Sequence, residues 1–230
     1  MNYDTIIFDS DGVLVEPTDP AVHRTAVRKA FLEFGVVDVD AETVEYLVEI
    51  TGDERDKLSA ANVRRVCEEF GIEPEQFWRR REQLAVEAQA EEVERGRKCT
   101  YPDIGVVNIL DAPAKDLTLA VVSNNQAGTV TNSLEAFDLA PHFDAIYGRE
   151  PTLAGLDRRK PNTYYAEKIL TEFGGDQVLF VGDSIVDIQT ADRLGIDSAF
   201  LHRDHRASYQ LTESPKYEID GLEGLLEIVS

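Results

Sequence analysis

Aspartate residues follow two short apolar runs of this chain, in a pattern that suits chemistry at a metal ion. Asp9 and Asp11 come directly after the first run, and Asp183 and Asp187 follow a second run far along the chain. Alone, an Asp-x-Asp-Gly sequence also occurs in calcium loops and ordinary turns. Gathered in one crevice, the four carboxylates would repel one another. They therefore imply a hard divalent cation with oxygen ligands, for which Mg²⁺ is the best match.

A hydroxyl, an amide and a lysine accompany the acids. Ser123 and Asn124 follow a third apolar run, where a hydroxyl and a backbone N–H could donate to an anionic oxygen, although the same pair also forms plain turns and helix caps. Lys160 precedes Pro161, and a proline at a helix start would place this lysine at the positive end of the helix, which suits anions. A lysine and a hydroxyl beside the acidic cluster indicate a phosphate as the remaining ligand.

The elements that must position these residues alternate between two patterns. Short apolar runs predict buried strands at 5–8, 117–122, 178–181 and 198–201, and helical periodicity is found at 129–137, 162–173 and 185–194. Strands that alternate with helices predict an α/β fold, a doubly wound, Rossmann-like and mostly parallel sheet. Ligands of such sheets bind beyond the carboxyl ends of the strands, which is where the polar residues lie.

The stretch 16–96, here named the helical segment, has a different pattern and predicts an inserted α-helical cap domain. Asp19 and Pro20 are typical of a helix start, and Glu73 and Pro74 open a long helix that Gly96 ends. We therefore expect a catalytic core formed by 1–15 and 97–230, with the cap inserted after the first strand.

Composition limits the partners. The 230 residues include 44 acidic and 23 basic side chains, a net charge of −21, which disfavours nucleic acid and anionic membranes. The basic residues are 7 Lys and 16 Arg, and low lysine with abundant acid predicts a protein from a high-salt, haloarchaeal type of cytoplasm. The two cysteines, Cys67 and Cys99, are expected to be reduced, and we expect neither a leader nor a membrane span.

The motifs together match a known family. The chain resembles the haloacid dehalogenase superfamily, in the phosphatase branch that carries a helical cap after the first strand. The resemblance extends over nearly the whole length and rests on FDSDGVLV, YPDIGVVNIL, LAVVSNN, FDLAPHFDAIYG, RRKPNTYYAEKIL and VLFVGDSIVDIQTADRLGI. It implies an Mg²⁺-dependent phosphatase that hydrolyses a small phosphorylated metabolite through an aspartyl-phosphate. Phosphoglycolate and small sugar phosphates are the substrates it suggests.

Site roles follow from the resemblance residue by residue. It implies Asp9 as the nucleophile and a metal ligand, and Asp11 as the general acid/base with its backbone carbonyl on the metal. Ser123 and Asn124 would bind the phosphoryl group, and Lys160 would balance charge at the nucleophile and the phosphate. Two further acids belong to the Mg²⁺ site. Asp183 would complete it, and Asp187 would support it without being a direct ligand.

Several alternatives stay open. A phosphosugar mutase of the same superfamily has a histidine early in its cap, and His23 lies roughly where that residue would fall. A receiver-type signalling module uses similar chemistry but is about half as long, and a non-catalytic binding protein would be expected to lack Asp9. The dehalogenase branch lacks the second aspartate and is disfavoured by Asp11.

Candidate substrate contacts in the helical segment are Arg24, Arg55 and Lys57. The protein is expected to act as a monomer or a homodimer.

Overall fold

The computed structural model describes residues 3–48, 58–112, 117–207 and 211–229. Six strands form one sheet in the order β3-β2-β1-β4-β5-β6, and every neighbouring pair is parallel. The strands are β1 Thr5–Phe8, β2 Thr118–Gln126, β3 Ala145–Arg149, β4 Val178–Gly182, β5 Asp197–Leu201 and β6 Tyr217–Ile219. The predicted doubly wound α/β fold is confirmed.

Helices connect most of the strands, and the last helix follows β6. In the described part of the helical segment there are four: α1 Pro20–Glu33, α2 Ala41–Glu45, α3 Ala60–Glu69 and α4 Pro74–Glu94. The others are α5 Val106–Leu110, α6 Ala127–Ala136, α7 Leu153–Asp157, α8 Tyr164–Phe173, α9 Ile185–Leu194 and α10 Gly224–Ile228. Helices α1 and α4 begin where the sequence predicts. The Asp19 carboxylate accepts from the backbone N–H of Ala21 at 2.8 Å, and that of Glu73 accepts from Gln76 at 2.8 Å.

The strand order places the crevice of the fold at β1. The chain continues from β1 to β2 on one side of it, and later returns to β4 on the other side. This reversal is the switch point at which doubly wound sheets bind ligands, beyond the carboxyl ends of the strands. All four residues of β1 are buried. Ile6 and Phe8 pack into the core on one face of the sheet and Ile7 into that on the other.

The helical segment has its own apolar core. Phe31, Phe77 and Trp78 are fully buried in it, and Leu153 and Leu156 of α7 complete the same cluster. The helical segment is therefore packed against the chain that follows β3. The division into a core and a cap domain stays a prediction. Within the part of the chain that the structure describes, no helix is long and apolar enough to cross a membrane.

Several elements differ from the sequence-based prediction. Strands β3 and β6 were not predicted. Strand β2 continues through Ser123 and Asn124 to Gln126, with a shift of register against β3 after Val122. Helix α8 begins at Tyr164, so Pro161 precedes it and does not occupy its first turn.

The net charge of −21 predicts a dependence of stability on salt. Mutual repulsion of surface acids opposes folding, and screening shortens its reach from about 10 Å at 0.1 M salt to about 3 Å at 1 M. We expect the melting temperature to be at least about 5 °C higher in about 2 M than in about 0.1 M KCl. Differential scanning calorimetry measures this. Sucrose, which stabilises without screening charge, is the control, and an unchanged melting temperature in KCl would contradict the expectation.

Candidate active site

Three buried carboxylates meet beyond the carboxyl ends of β1 and β4. Asp9 follows β1, Asp183 follows β4, and Asp187 lies in the first turn of α9. Each offers an oxygen within 4.8 Å of the other two. A Cβ at Gly12 would lie 2.3 Å from an Asp183 oxygen, so only glycine allows the two acidic loops to approach this closely. Three of the four acids named by the sequence are thus brought together, and Asp11 is not part of this cluster. Asp187, for which the resemblance implied only a supporting role, lies near enough to be a direct ligand.

Lys160 bridges two carboxylates of this cluster, Asp9 and Asp187. Its Nζ is 2.8 Å from Asp9 Oδ1 and 2.7 Å from Asp187 Oδ1, and it donates to the Val122 carbonyl at 3.0 Å. The lysine backbone is fixed by Asn124, whose Oδ1 accepts from the Lys160 N–H at 2.6 Å and whose Nδ2 donates to the Lys160 carbonyl at 3.2 Å. The side-chain amide of Asn124 therefore places the lysine, where the sequence pattern had suggested a helix N-terminus.

The electrostatics of the cluster indicate a missing positive charge. Burial raises the pKa of Asp9 to about 8, Lys160 opposes this, and the neighbouring Asp187 and Asp183 add to it. The pKa of Asp187 is also raised, first by burial. Lys160 thus does not neutralise the two carboxylates that it contacts, Asp9 and Asp187. A set of hard oxygen donors with excess negative charge fits a divalent cation such as Mg²⁺, which Asp9, Asp183 and Asp187 would hold.

The raised pKa of Asp9 predicts a pH dependence of stability without metal. Because the folded state raises this pKa from 3.8 to about 8, the group stabilises the fold fully below its unfolded pKa, and that contribution is lost as the pH rises through about 8. Calorimetry in a chelator should show a melting temperature that falls between about pH 5 and pH 9. The fall should be smaller in Asp9→Asn and unchanged in the exposed control Asp138→Asn. Equal slopes in all three proteins would contradict the expectation.

Asp183 has two partners that the sequence analysis missed. His205 Nε2 lies 2.8 Å and Arg206 Nε 3.1 Å from the same carboxylate oxygen. Burial raises the pKa of Asp183, but the contacts with His205 and Arg206 outweigh it and lower that pKa below its ordinary value. Both residues lie in a short turn after β5, and no local pattern distinguishes them from surface residues.

Asp11 is held on both of its carboxylate oxygens. Lys98 Nζ forms an ion pair with Oδ1, and Asn125 Nδ2 donates to Oδ2 at 2.8 Å. Lys98 is only 1% exposed, an unusual position for a lysine. Neither Lys98 nor Asn125 was identified from the sequence, because their partner is far away along the chain.

A cavity of about 590 Å³ opens above the cluster. Of the site residues predicted from the sequence, those in its wall are Asp9, Asp11, Ser123, Asn124, Lys160 and Asp183. Ser123 is buried, and its Oγ accepts from the Asn125 N–H at 3.2 Å. The wall also contains His23, Arg97, His205 and Arg206. The cavity therefore has acids at its base and several cationic side chains in its wall, which suits a small anionic ligand.

The candidate contacts of the helical segment have different positions. Arg24 forms a two-pronged ion pair with Glu45, with Nε 2.6 Å from Oε1 and Nη2 3.2 Å from Oε2, and it does not line the cavity. Arg55 and Lys57 lie outside the described residues. Among these predicted contacts and His23, the structure thus places only His23 at the cavity.

A doubly wound sheet with buried acids and a lysine at its switch point places a polar ligand-binding site beyond the carboxyl ends of the strands. The family model for haloacid dehalogenase-like hydrolases matches residues 6–201. The chain belongs to this family. A phosphoglycolate phosphatase of Cereibacter sphaeroides is 29% identical over 201 residues, which cover 87% of this chain and 86% of that protein.

Solved structures share the fold. A predicted phosphoglycolate phosphatase of Haemophilus somnus 129PT has a TM-score of 0.63 at 22% identity, and the match covers 100% of this chain and 99% of that one. CbbY of Rhodobacter sphaeroides, solved in complex with phosphate, has a TM-score of 0.66 at 21% identity, with 97% and 96% covered. The prediction of a hydrolytic enzyme of this family is confirmed.

Proposed function

We propose that the protein is an Mg²⁺-dependent phosphatase that hydrolyses a small phosphate monoester through an aspartyl-phosphate on Asp9. The observation that carries the proposal is the cluster of Asp9, Asp183, Asp187 and Lys160 at the base of a cavity. It is supported by family membership and by the phosphatase names of the relatives. Bound Mg²⁺ would supply positive charge for the phosphoryl oxygens.

The chain's own residues suit a two-step displacement. Asp9 Oδ1 is engaged by the Ser10 N–H at 2.7 Å and by Lys160, so Oδ2 is the oxygen that attacks phosphorus. As the new P–O bond forms, the ester P–O bond breaks and Asp11 gives a proton to the leaving alcohol. Water then transfers a proton to Asp11 and attacks phosphorus. The P–O bond to Asp9 breaks, and inorganic phosphate leaves.

The positive groups of the site have distinct tasks. Lys160 orients Asp9 and would offset charge on the phosphoryl group, together with the Ser123 hydroxyl and the Asn124 backbone. Fixed donors aimed at developing charge lower the barrier more than mobile water does, because they need no reorganisation. A helical cap formed by the helical segment would exclude bulk water from the cavity.

A small anionic ester is the substrate class that we propose, with phosphoglycolate as the first candidate. Its support is the name of the relative from Cereibacter sphaeroides and the cavity of about 590 Å³. A phosphosugar mutase is not favoured, since the curated relative from Cereibacter sphaeroides is named a phosphoglycolate phosphatase. The haloarchaeal origin, the cytoplasmic location and a monomeric or homodimeric state are further proposals, the first two resting on composition.

The experiment that tests this function is a screen of small phosphorylated metabolites at high salt, with inorganic phosphate as the readout. We expect Mg²⁺-dependent release from at least one substrate and loss of release in excess chelator. Full activity after chelation would contradict the metal requirement. A product that keeps its phosphate on carbon would instead indicate the mutase.

A further inference from the structure

A closed ring of hydrogen bonds surrounds Asp11. Lys98 Nζ contacts Asp11 Oδ1 and donates to Thr18 Oγ1 at 3.0 Å, and Thr18 donates to Gln89 Oε1 at 2.6 Å. Gln89 Oε1 also accepts from Asn125 Nδ2 at 2.9 Å, and the same Nδ2 donates to Asp11 Oδ2. Each hydrogen of the Thr18 hydroxyl and the Asn125 amide has a defined acceptor. The ring therefore fixes the orientation of every member.

Lys98 and Asn125 hold Asp11 from different sides. Asn125 lines the cavity and Lys98 does not. Lys98 comes just after α4, and its backbone N–H donates to the Glu92 carbonyl at 3.3 Å. Lys98 thus binds Asp11 Oδ1 on the side of the carboxyl group that faces away from the cavity. Oδ2, which keeps a second lone pair beside the Asn125 contact, is the oxygen that faces a substrate.

We propose that Lys98 is a positioning residue for proton transfer by Asp11: it locks the carboxyl group so that Oδ2 meets the leaving oxygen of the substrate. The inference rests on the phosphatase function proposed above. Proton transfer needs the donor within about 2.6–3.2 Å of the acceptor, so a carboxyl group that turns freely about its Cα–Cβ bond loses much of its effect. Lys98 does not line the cavity, so it would act only through Asp11.

The experiment compares Lys98→Met with wild type on two aryl phosphates. Phenolate is a poor leaving group and needs a proton, whereas 4-nitrophenolate leaves more readily, so a misplaced acid harms phenyl phosphate more. The ratio kcat/KM reports the phosphorylation step, in which the proton is given. We expect it to fall about 100-fold for phenyl phosphate and about 10-fold or less for 4-nitrophenyl phosphate. Lys98→Arg, which keeps the charge, should restore most of the kcat/KM lost on phenyl phosphate.

Controls separate positioning from general damage. Lys29→Met makes the same change on an exposed face of α1 and should leave both substrates unaffected. Circular dichroism checks folding. Should Lys98→Met not fold, Thr18→Val removes the second hydrogen-bond partner of Lys98 at nearly constant volume. This variant should lower kcat/KM for phenyl phosphate about 10-fold. A crystal structure of Lys98→Met should show the Asp11 carboxyl group rotated.

The outcomes distinguish the two proposals. A folded Lys98→Met protein that loses both activities equally, or neither, would show that Lys98 does not position Asp11 for proton transfer. It would overturn this inference while the phosphatase proposal stands. A wild-type protein that hydrolyses neither ester at any metal concentration would instead overturn the proposed function itself.

Discussion

Asp9→Asn should lower Mg²⁺-dependent phosphate release by at least about 10⁴-fold, since the amide keeps the shape of the side chain but removes the nucleophile. The amide oxygen still accepts from the Ser10 N–H and from Lys160, so the surrounding geometry is retained. Repulsion from Asp183 and Asp187 disappears, so the melting temperature without metal should not fall. Steady-state assays and calorimetry measure the two effects.

A matched control is available in Asp138→Asn. Asp138 is exposed, and its φ of 56° lies in the left-handed region that asparagine tolerates well. We expect this variant to be as active as the wild type. Undiminished turnover in Asp9→Asn would overturn the covalent mechanism and would favour a role for the acids in metal binding alone.

Glu82→Leu should lower the free energy of unfolding by about 3–5 kcal/mol, because it removes the carboxylate between two buried arginines. Glu82 Oε1 is 2.5 Å from Arg81 Nη1, and Oε2 is 2.9 Å from Arg149 Nη1. All three side chains are at most 1% exposed, and both guanidinium groups lie over the Trp78 ring at 5.0 and 5.4 Å. For a chain of this length the loss corresponds to a melting temperature about 10 °C lower.

The control for this variant lies on the same helix. Glu91 pairs with Arg95 at 2.8 Å on the surface of α4, where both side chains are more than half exposed. Such pairs contribute about 0–1 kcal/mol, so Glu91→Leu should change stability little. Denaturation by urea measures both variants. A loss below about 1 kcal/mol in Glu82→Leu would mean that water reaches the arginines once the carboxylate is gone.

The strand ends were the part of the site that the sequence could predict. Buried parallel strands are continuous apolar runs, and the first polar residue after each run marks the edge of the sheet, as Asp9 and Asp183 do. The short strands β3 and β6 lack this contrast. The Ala145–Arg149 sequence is partly polar and lies near one edge of the sheet, and β6 has only three residues.

Residues held by distant partners could not be predicted. Arg149 is fully buried because Glu82 and the Asn124 carbonyl, which accepts from its Nε at 3.0 Å, satisfy it. Lys98 is buried for the same reason, beside Asp11. A charged residue in a sequence is normally assigned to the surface, because burial without a partner is costly. Only the tertiary structure shows that the partner exists.

Helix α4 carries two residues whose partners lie on the sheet: Glu82, which pairs with Arg149, and Gln89, which bonds to Asn125. For protein engineering, the helical segment is therefore not an exchangeable module. A chimera that received residues 16–96 from a relative without Glu82 and Gln89 would keep Arg149 and Asn125 but lose one partner of each. Substrate preference could be transplanted only if α4 and the ends of β2 and β3 were moved as one unit.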